Sequence, residues 1–293
     1  MRAFVLSMAV AAAAAAQHQD YSKVEIKTTK VAGNVWFLEG AGGNIAASAG
    51  EDGVAIVDDE FAELSPKIHA ALAKLSPKPV RFVINTHWHF DHTGGNALFS
   101  DSAAILAHAN VRKRLITGGK LSAFVIPPAA PAALPIVTFE QGLSLWWNGE
   151  EVRAIHLRPG HTDGDTAVWF TGSNVVHMGD DFITTGFPFV DVSSGGSLRG
   201  LLEALDSLLP QIPKDAKIIP GHGHVSTVDD LRKYRSSLEE MVAVVAKARK
   251  AGRTVEQMKA DKLLAPWAAE WGKGWVKEDA FIETIAQDLG AKR

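Results

Sequence analysis

The run Thr86-His87-Trp88-His89-Phe90-Asp91-His92-Thr93-Gly94-Gly95-Asn96 decides the reading of this chain. Four side chains that ligate metals fall within six residues, directly after Val80-Arg81-Phe82-Val83-Ile84-Asn85, an apolar stretch with the pattern of a buried strand. His87, His89 and Asp91 are spaced two apart, so in an extended segment they leave the chain on one side. His92 turns toward a second centre if the backbone bends at Gly94-Gly95. Imidazole with carboxylate suits Zn²⁺, and so many ligands exceed what one catalytic zinc needs. The run therefore points to a pair of metals. A polar loop with chance histidines would leave the strand before it and the glycine turn after it without a reason.

The chain of 293 residues is long enough for one large domain or two small ones, with a substantial core. Hydrophobic residues make up 46% and charged residues 22%, with a net charge of −3, an ordinary balance for a globular protein. No basic stripe is present, so a nucleic-acid partner has no electrostatic footprint. The absence of cysteine excludes thiolate ligands, thiol nucleophiles and disulfides together. At the start, Arg2 precedes an apolar, alanine-rich run from Ala3 to Ala16 and then Gln17-His18-Gln19-Asp20. This reads as a secretory signal peptide over residues 1–16, giving a periplasmic or secreted protein with no stable membrane insertion after cleavage. The run is short for a membrane span; an N-terminal anchor and an alanine-rich tail are the competing readings.

Outward from the histidine run, strands are expected at Val24 to Thr28, Asn34 to Leu38, Asn44 to Ser48 and Val54 to Asp58, separated by glycine turns. Ser65-Pro66 opens a helix to about Leu75, and a short helix is expected from Thr93. A strand at Ala104 to Ala107 and a basic helix from Asn110 follow. Residues Gly118 to Pro135 show no period and read as a long loop that could cover a site. Strands resume at Ile136 to Phe139, Leu143 to Trp147, Val152 to Leu157, Thr166 to Phe170 and Val175 to Met178. A helix over Ser197 to Leu209, a strand at Lys217 to Ile219 and a long helix over Val228 to Ala251 complete the pattern. It predicts two sheets packed face to face with helices outside.

Three later loops repeat one arrangement. Pro159-Gly160-His161-Thr162, Met178-Gly179-Asp180 and Pro220-Gly221-His222-Gly223 each place one ligand-type residue just beyond an apolar strand, beside a glycine that permits close backbone approach. Singly each is an ordinary turn; together with the first run they are specific. On these residues the chain resembles the metallo-β-lactamase-fold metallohydrolase superfamily, closest to its quinoprotein-relay-associated (SoxH-like), lactonase and glyoxalase II-like branches.

The resemblance implies an α/β (α+β) protein, a four-layer αββα sandwich of two mixed β-sheets flanked by helices, with metals at one sheet edge. It implies a catalytic domain over residues 22–252 and a helical, aromatic extension over 253–293 packed on it. By the same likeness, two Zn²⁺ per chain are expected, with iron or manganese as alternatives. His87, His89 and His161 would hold the first metal, Asp91, His92 and His222 the second, and Asp180 would bridge them. Asp181 competes with Asp180 for the bridging position. Asp58 sits where the family keeps an acid that steadies the ligand loops.

Two zincs lower the pKa of a water far enough for hydrolysis near neutral pH, with Asp91 and Asp180 as the catalytic carboxylates. The expected substrate is a small molecule with an ester, thioester, lactone or amide bond. A dedicated β-lactamase of the main subclass would carry cysteine in place of Asp180 and lysine in place of Ile183, so that reading ranks second. An iron-dependent oxidoreductase or dioxygenase on the same ligand set, and a non-catalytic metal-binding periplasmic protein, are readings of other classes.

The remaining histidines are expected to be structural, including His69, His108, His156 and His177, with His224 the nearest rival to His222. Trp267, Trp271 and Trp275 form a spaced stripe, although Pro266, Gly272 and Gly274 argue against a regular helix through all three. Packing onto the domain is the first reading of this stripe and a wall of the substrate pocket the sharper one.

Overall fold

A computed structural model describes residues 20–122 and 124–290; the segment 1–16 read as a signal peptide lies outside them. The first sheet has seven strands: β1 (Lys27–Ala32), β2 (Val35–Glu39), β3 (Ile45–Gly50), β4 (Gly53–Val57), β5 (Val80–Ile84), β6 (Ala104–His108) and β9 (Val137–Phe139). β1 to β4 form an antiparallel meander, and β4, β5, β6 and β9 run parallel. The second sheet joins β10 (Gly142–Trp147), β11 (Glu150–His156), β12 (Thr166–Phe170), β13 (Val175–His177), β14 (Lys217–Ile219) and β15 (Ser226–Thr227). Only β13 and β14 pair in parallel there. Both sheets are mixed, as expected.

Alternation along the strands builds four layers. In the first sheet Ile56, Val83 and Ile105 face outward onto Ile68 and Leu72 of the helix Ser65–Leu75. Their neighbours Val57, Ile84 and Leu106 face inward, where they meet Val152, Val168, Val175 and Ile219 of the second sheet. There the adjacent Ala167, Val176 and Ile218 point outward into a third cluster built by the helices Leu198–Leu208 and Val228–Lys250. This period-two division is what an apolar strand buried on both faces requires.

Several local expectations change. The chain before β1 makes a 3₁₀ turn at Tyr21–Lys23, so the strand begins at Lys27 rather than Val24. After the histidine run the chain forms two short helical turns, Phe90–Thr93 and Asn96–Phe99, separated by Gly94-Gly95, instead of one helix from Thr93. The stretch read as an irregular loop holds a hairpin, β7 (Gly119–Leu121) against β8 (Phe124–Ile126).

Past residue 252 the helices Val255–Ala260, Ala265–Trp271 and Glu278–Asp288 bury Met258, Trp271, Phe281 and Ile285 in the outer core of the second sheet. A regular helix does form through Pro266, because proline sits in its first turn, where no backbone N–H is needed. It stops at Gly272, which places Trp275 beyond it. No helix among the described residues is long and apolar enough to cross a membrane.

Candidate metal centre

Every residue of the expected constellation comes from just beyond a strand, and all of them converge on one edge of the sandwich. Asp58 follows β4, and the run His87 to His92 follows β5. His161, Asp180 and His222 follow β11, β13 and β14. The loops are tied across the two sheets. The Asn44 backbone N–H donates to Gly221 O at 2.7 Å, its side-chain amide donates to Pro220 O at 2.8 Å, and its own carbonyl accepts from His177 Nε2 at 3.0 Å. Gly221 N–H donates to Gly179 O at 2.7 Å, fastening the His222 loop to the Asp180 loop.

Three groupings hold ligand atoms within 4.8 Å of one another: His87/His89/His161, Asp91/His92/His222, and His87/His92/Asp180. The first two match the two expected triads. Asp180 stands between them, with Oδ1 3.2 Å from His92 Nε2 and Oδ2 3.6 Å and 3.5 Å from the Nε2 atoms of His161 and His222. Its neighbour Asp181 is turned away and accepts from the His161 backbone N–H at 3.2 Å. Burial and nearby Asp165 push the Asp181 carboxyl well above the usual range.

The hydrogen bonds fix which nitrogen of each buried histidine faces the cluster. The Thr86 hydroxyl lies 2.7 Å from Asp58 Oδ2, to which it gives its one proton, so at 3.0 Å it accepts from His87 Nδ1. His87 Nε2 is then bare, buried and without a partner. His92 Nδ1 donates to Asp58 Oδ2 at 2.8 Å and His161 Nδ1 to Phe189 O at 2.7 Å, so each turns its Nε2 toward the cluster. His89 is reversed: Nε2 donates to Asp191 Oδ2 at 3.1 Å and Nδ1 faces inward. Two bare nitrogens, His89 Nδ1 and His161 Nε2, thus stand 2.8 Å apart. Lone pairs at that distance repel unless a cation lies beside them. Asp180 Oδ1, likewise buried without a hydrogen-bond partner, adds a charged donor to the same space.

Electrostatics agree. Burial and the neighbouring imidazoles hold His87 well below its ordinary pKa, and burial and His161 lower His89 to about 4. Burial also disfavours the charged forms of His92 and His222, but it is outweighed there. The Asp180, Asp91 and Asp58 carboxylates raise His92 well above its ordinary value, and Asp180 and Asp91 push His222 up to about 10. The carboxylates demand positive charge, and the bare nitrogens offer lone pairs to it. Nitrogen and oxygen donors without sulfur suit divalent zinc, iron or manganese.

Asp58 holds two parts of the run at once: besides His92 and the Thr86 hydroxyl it accepts from the Thr86 backbone N–H at 2.7 Å, and it adopts a left-handed φ of 62°. Sequence reasoning missed Asp191 and Asn44. Asp191 ends the phrase Pro188-Phe189-Val190-Asp191, which no strand directly precedes to give its acid a direction. The other described histidines belong to none of the three groupings. His108 and His156 stack with ring centroids 3.7 Å apart, His177 is buried on Asn44, and His224 is exposed beside Thr184.

Above these groups opens a cavity of about 260 Å³. His89, Asp91, His161, Asp180 and His222 contribute its polar part, and aromatic and aliphatic side chains contribute most of the rest.

Residues 28–246 match the family model described as the metallo-beta-lactamase superfamily. The chain belongs to that superfamily. Among superfamily relatives, it is similar to the 2,4-dinitroanisole O-demethylase subunit alpha of Nocardioides sp., at 31% identity over 54% of this chain and 46% of that one. A hydroxyacylglutathione hydrolase of Gloeobacter violaceus is 30% identical over 71% of each chain. The aligned part spans about half the length of the first two curated relatives, 46% and 56%. A metallo-beta-lactamase from Pontibacter korlensis shares the fold, with a TM-score of 0.62 at 18% identity over 73% of this chain and 99% of that one. As a superfamily member the chain carries a histidine-rich metal site in the fold of metal-dependent hydrolases.

Proposed function

We propose that this chain is a dinuclear zinc hydrolase that opens an ester, thioester, lactone or amide bond. The observation that carries this reading is the position of Asp180, within 3.6 Å of histidines from both triads. Zinc bound by His87, His89 and His161 and by Asp91, His92 and His222 would acidify a water and polarise the scissile carbonyl. The chain's own groups do the rest. Buried Asp58 and Asp191, the Thr86 hydroxyl and the Phe189 carbonyl hold four imidazoles in one orientation, so little reorganisation remains when substrate arrives. Asp91 lines the cavity with its side chain 21% exposed and its Oδ2 3.3 Å from His222 Nε2. It is placed to orient the attacking water and accept its proton. Water adds to the carbonyl carbon, the bond to the leaving oxygen, sulfur or nitrogen breaks, and the leaving group takes up a proton.

A panel of activated ester, thioester, lactone and β-lactam substrates, with metal content measured on the same sample, tests the reading. Turnover of an ester or lactone by protein carrying two zincs is expected. Full metallation with no turnover in any class would overturn the hydrolase assignment in favour of metal binding alone, and iron alone would favour the oxidoreductase reading. β-Lactam turnover as the main activity is not expected, because Ile183 lines the cavity where a lysine would grip the drug's carboxylate.

A further inference from the structure

Two groups of rings, neither part of the metal cluster, bound the cavity. Phe61, Phe90 and Phe124 form a chain of contacts, with centroids 5.7 Å and 6.1 Å apart along it. Phe124 comes from the β7–β8 hairpin, which also contributes Leu121. In the other group Phe189 meets Trp275 at 5.0 Å, near the imidazoles of His89 and His161 at 6.1 Å and 6.0 Å. Trp275 is 63% exposed, a large apolar side chain left open at the mouth of the cavity.

The segment that carries Trp275 is firmly held. Phe187 N–H donates to Trp271 O at 3.0 Å, Phe187 pairs with Val276, and Gly186 and Gly274 pack so closely that a Cβ on Gly274 would lie 2.7 Å from Thr185 O. No lysine or arginine is among the described residues that line the cavity. Lys277, close by in sequence, donates instead to the carbonyls of Gly272 and Gly274. Beyond the metal groups, nothing in the lining can balance a negative charge, while the rings offer apolar area.

Resting on the hydrolytic reading above, we propose that this site selects substrates whose group next to the scissile bond is an uncharged aryl or aliphatic chain. The group lies against Trp275, Phe189 and Phe124, and a chain ending in a carboxylate is rejected. The 253–293 extension thereby acts as a specificity element. Each methylene buried against the rings is worth about fourfold in affinity. A carboxylate carried among them loses its water without gaining a partner.

The test uses the metal-loaded full chain with 4-nitrophenyl acetate, 4-nitrophenyl hexanoate and the 4-nitrophenyl half-ester of adipic acid. The hexanoate should exceed the acetate in kcat/KM by about tenfold or more, chiefly through KM, and should exceed the adipate half-ester by about a hundredfold. Trp275→Ala and Phe124→Ala should each shrink the hexanoate-to-acetate ratio severalfold, and Ile183→Lys should narrow the gap to the adipate half-ester. Equal or better turnover of the adipate half-ester, or a ratio that neither alanine variant moves, would overturn the proposal while leaving hydrolysis intact.

Equilibrium dialysis with two uncleavable ketones, hexanophenone and 5-benzoylpentanoic acid, separates the two readings. Preferential binding of the neutral ketone, weakened in Trp275→Ala, in a protein that turns over no ester would keep the pocket assignment and remove the hydrolase one.

Discussion

At the scale of single residues, the centre depends on acids that touch both its halves or its histidines. Asp180→Ala should lower bound metal from two equivalents to about one, because the remaining imidazoles still furnish one three-nitrogen site. Retention of two equivalents by inductively coupled plasma analysis would contradict a bridging role. Asp58→Asn keeps the shape but weakens the acceptor that orients His92 and Thr86, and should cost about ten- to a hundredfold in zinc affinity in a competition titration. Unchanged affinity would show that backbone alone positions the run. Asp191→Asn should act the same way through His89. The ligands could be read from the sequence because each follows an apolar strand, so the chain itself gives their direction. Asp191 and Asn44 could not, since each acts through a contact made only when distant segments meet: Asp191 to His89, and Asn44 to the loop around Gly221.

At the scale of elements, the strands were readable and the connections less so. Apolar runs placed β2 to β6 and β10 to β14 to within a few residues, because most of these strands are buried on both faces and read as short continuous apolar stretches between turns. The hairpin at Gly119–Ile126 escaped because its strands are three residues each and largely exposed, with no buried face to impose a pattern. The tryptophan stripe divides by element. Trp271 stacks on Tyr234 at 5.2 Å and is buried, Trp267 packs against the same core, and Trp275 lines the cavity. Trp271→Ala should therefore destabilise the fold by about 3–5 kcal/mol in urea unfolding. A loss under about 1 kcal/mol would mean that the helix Ala265–Trp271 contributes little to the core. Trp275→Ala, at an exposed position, should leave the unfolding free energy within about 0.5 kcal/mol of the original.

At the scale of the whole molecule, two sheets fold as separate layers and the site exists only where their edges meet. The first sheet brings Asp58 and the run from His87 to His92, and the second brings His161, Asp180 and His222. A metal pair would then link the two halves as well as act on substrate. Removing it with a chelator should lower the melting temperature, and added zinc should restore it, as ligand binding to the native state requires. The face-to-face packing of the sheets followed from the element pattern, whereas the meeting of the ligand loops at one edge was implied by resemblance, because no residue pattern within either half encodes the other's position. What the substrate is depends on the rings around the cavity, which come from elements far apart in the chain.

The most direct test of the account is a zinc titration of metal-stripped protein, followed by calorimetry. Two equivalents bound per chain are predicted, falling to about one in Asp180→Ala. Saturation of the unaltered chain at one equivalent, or at none, would contradict it.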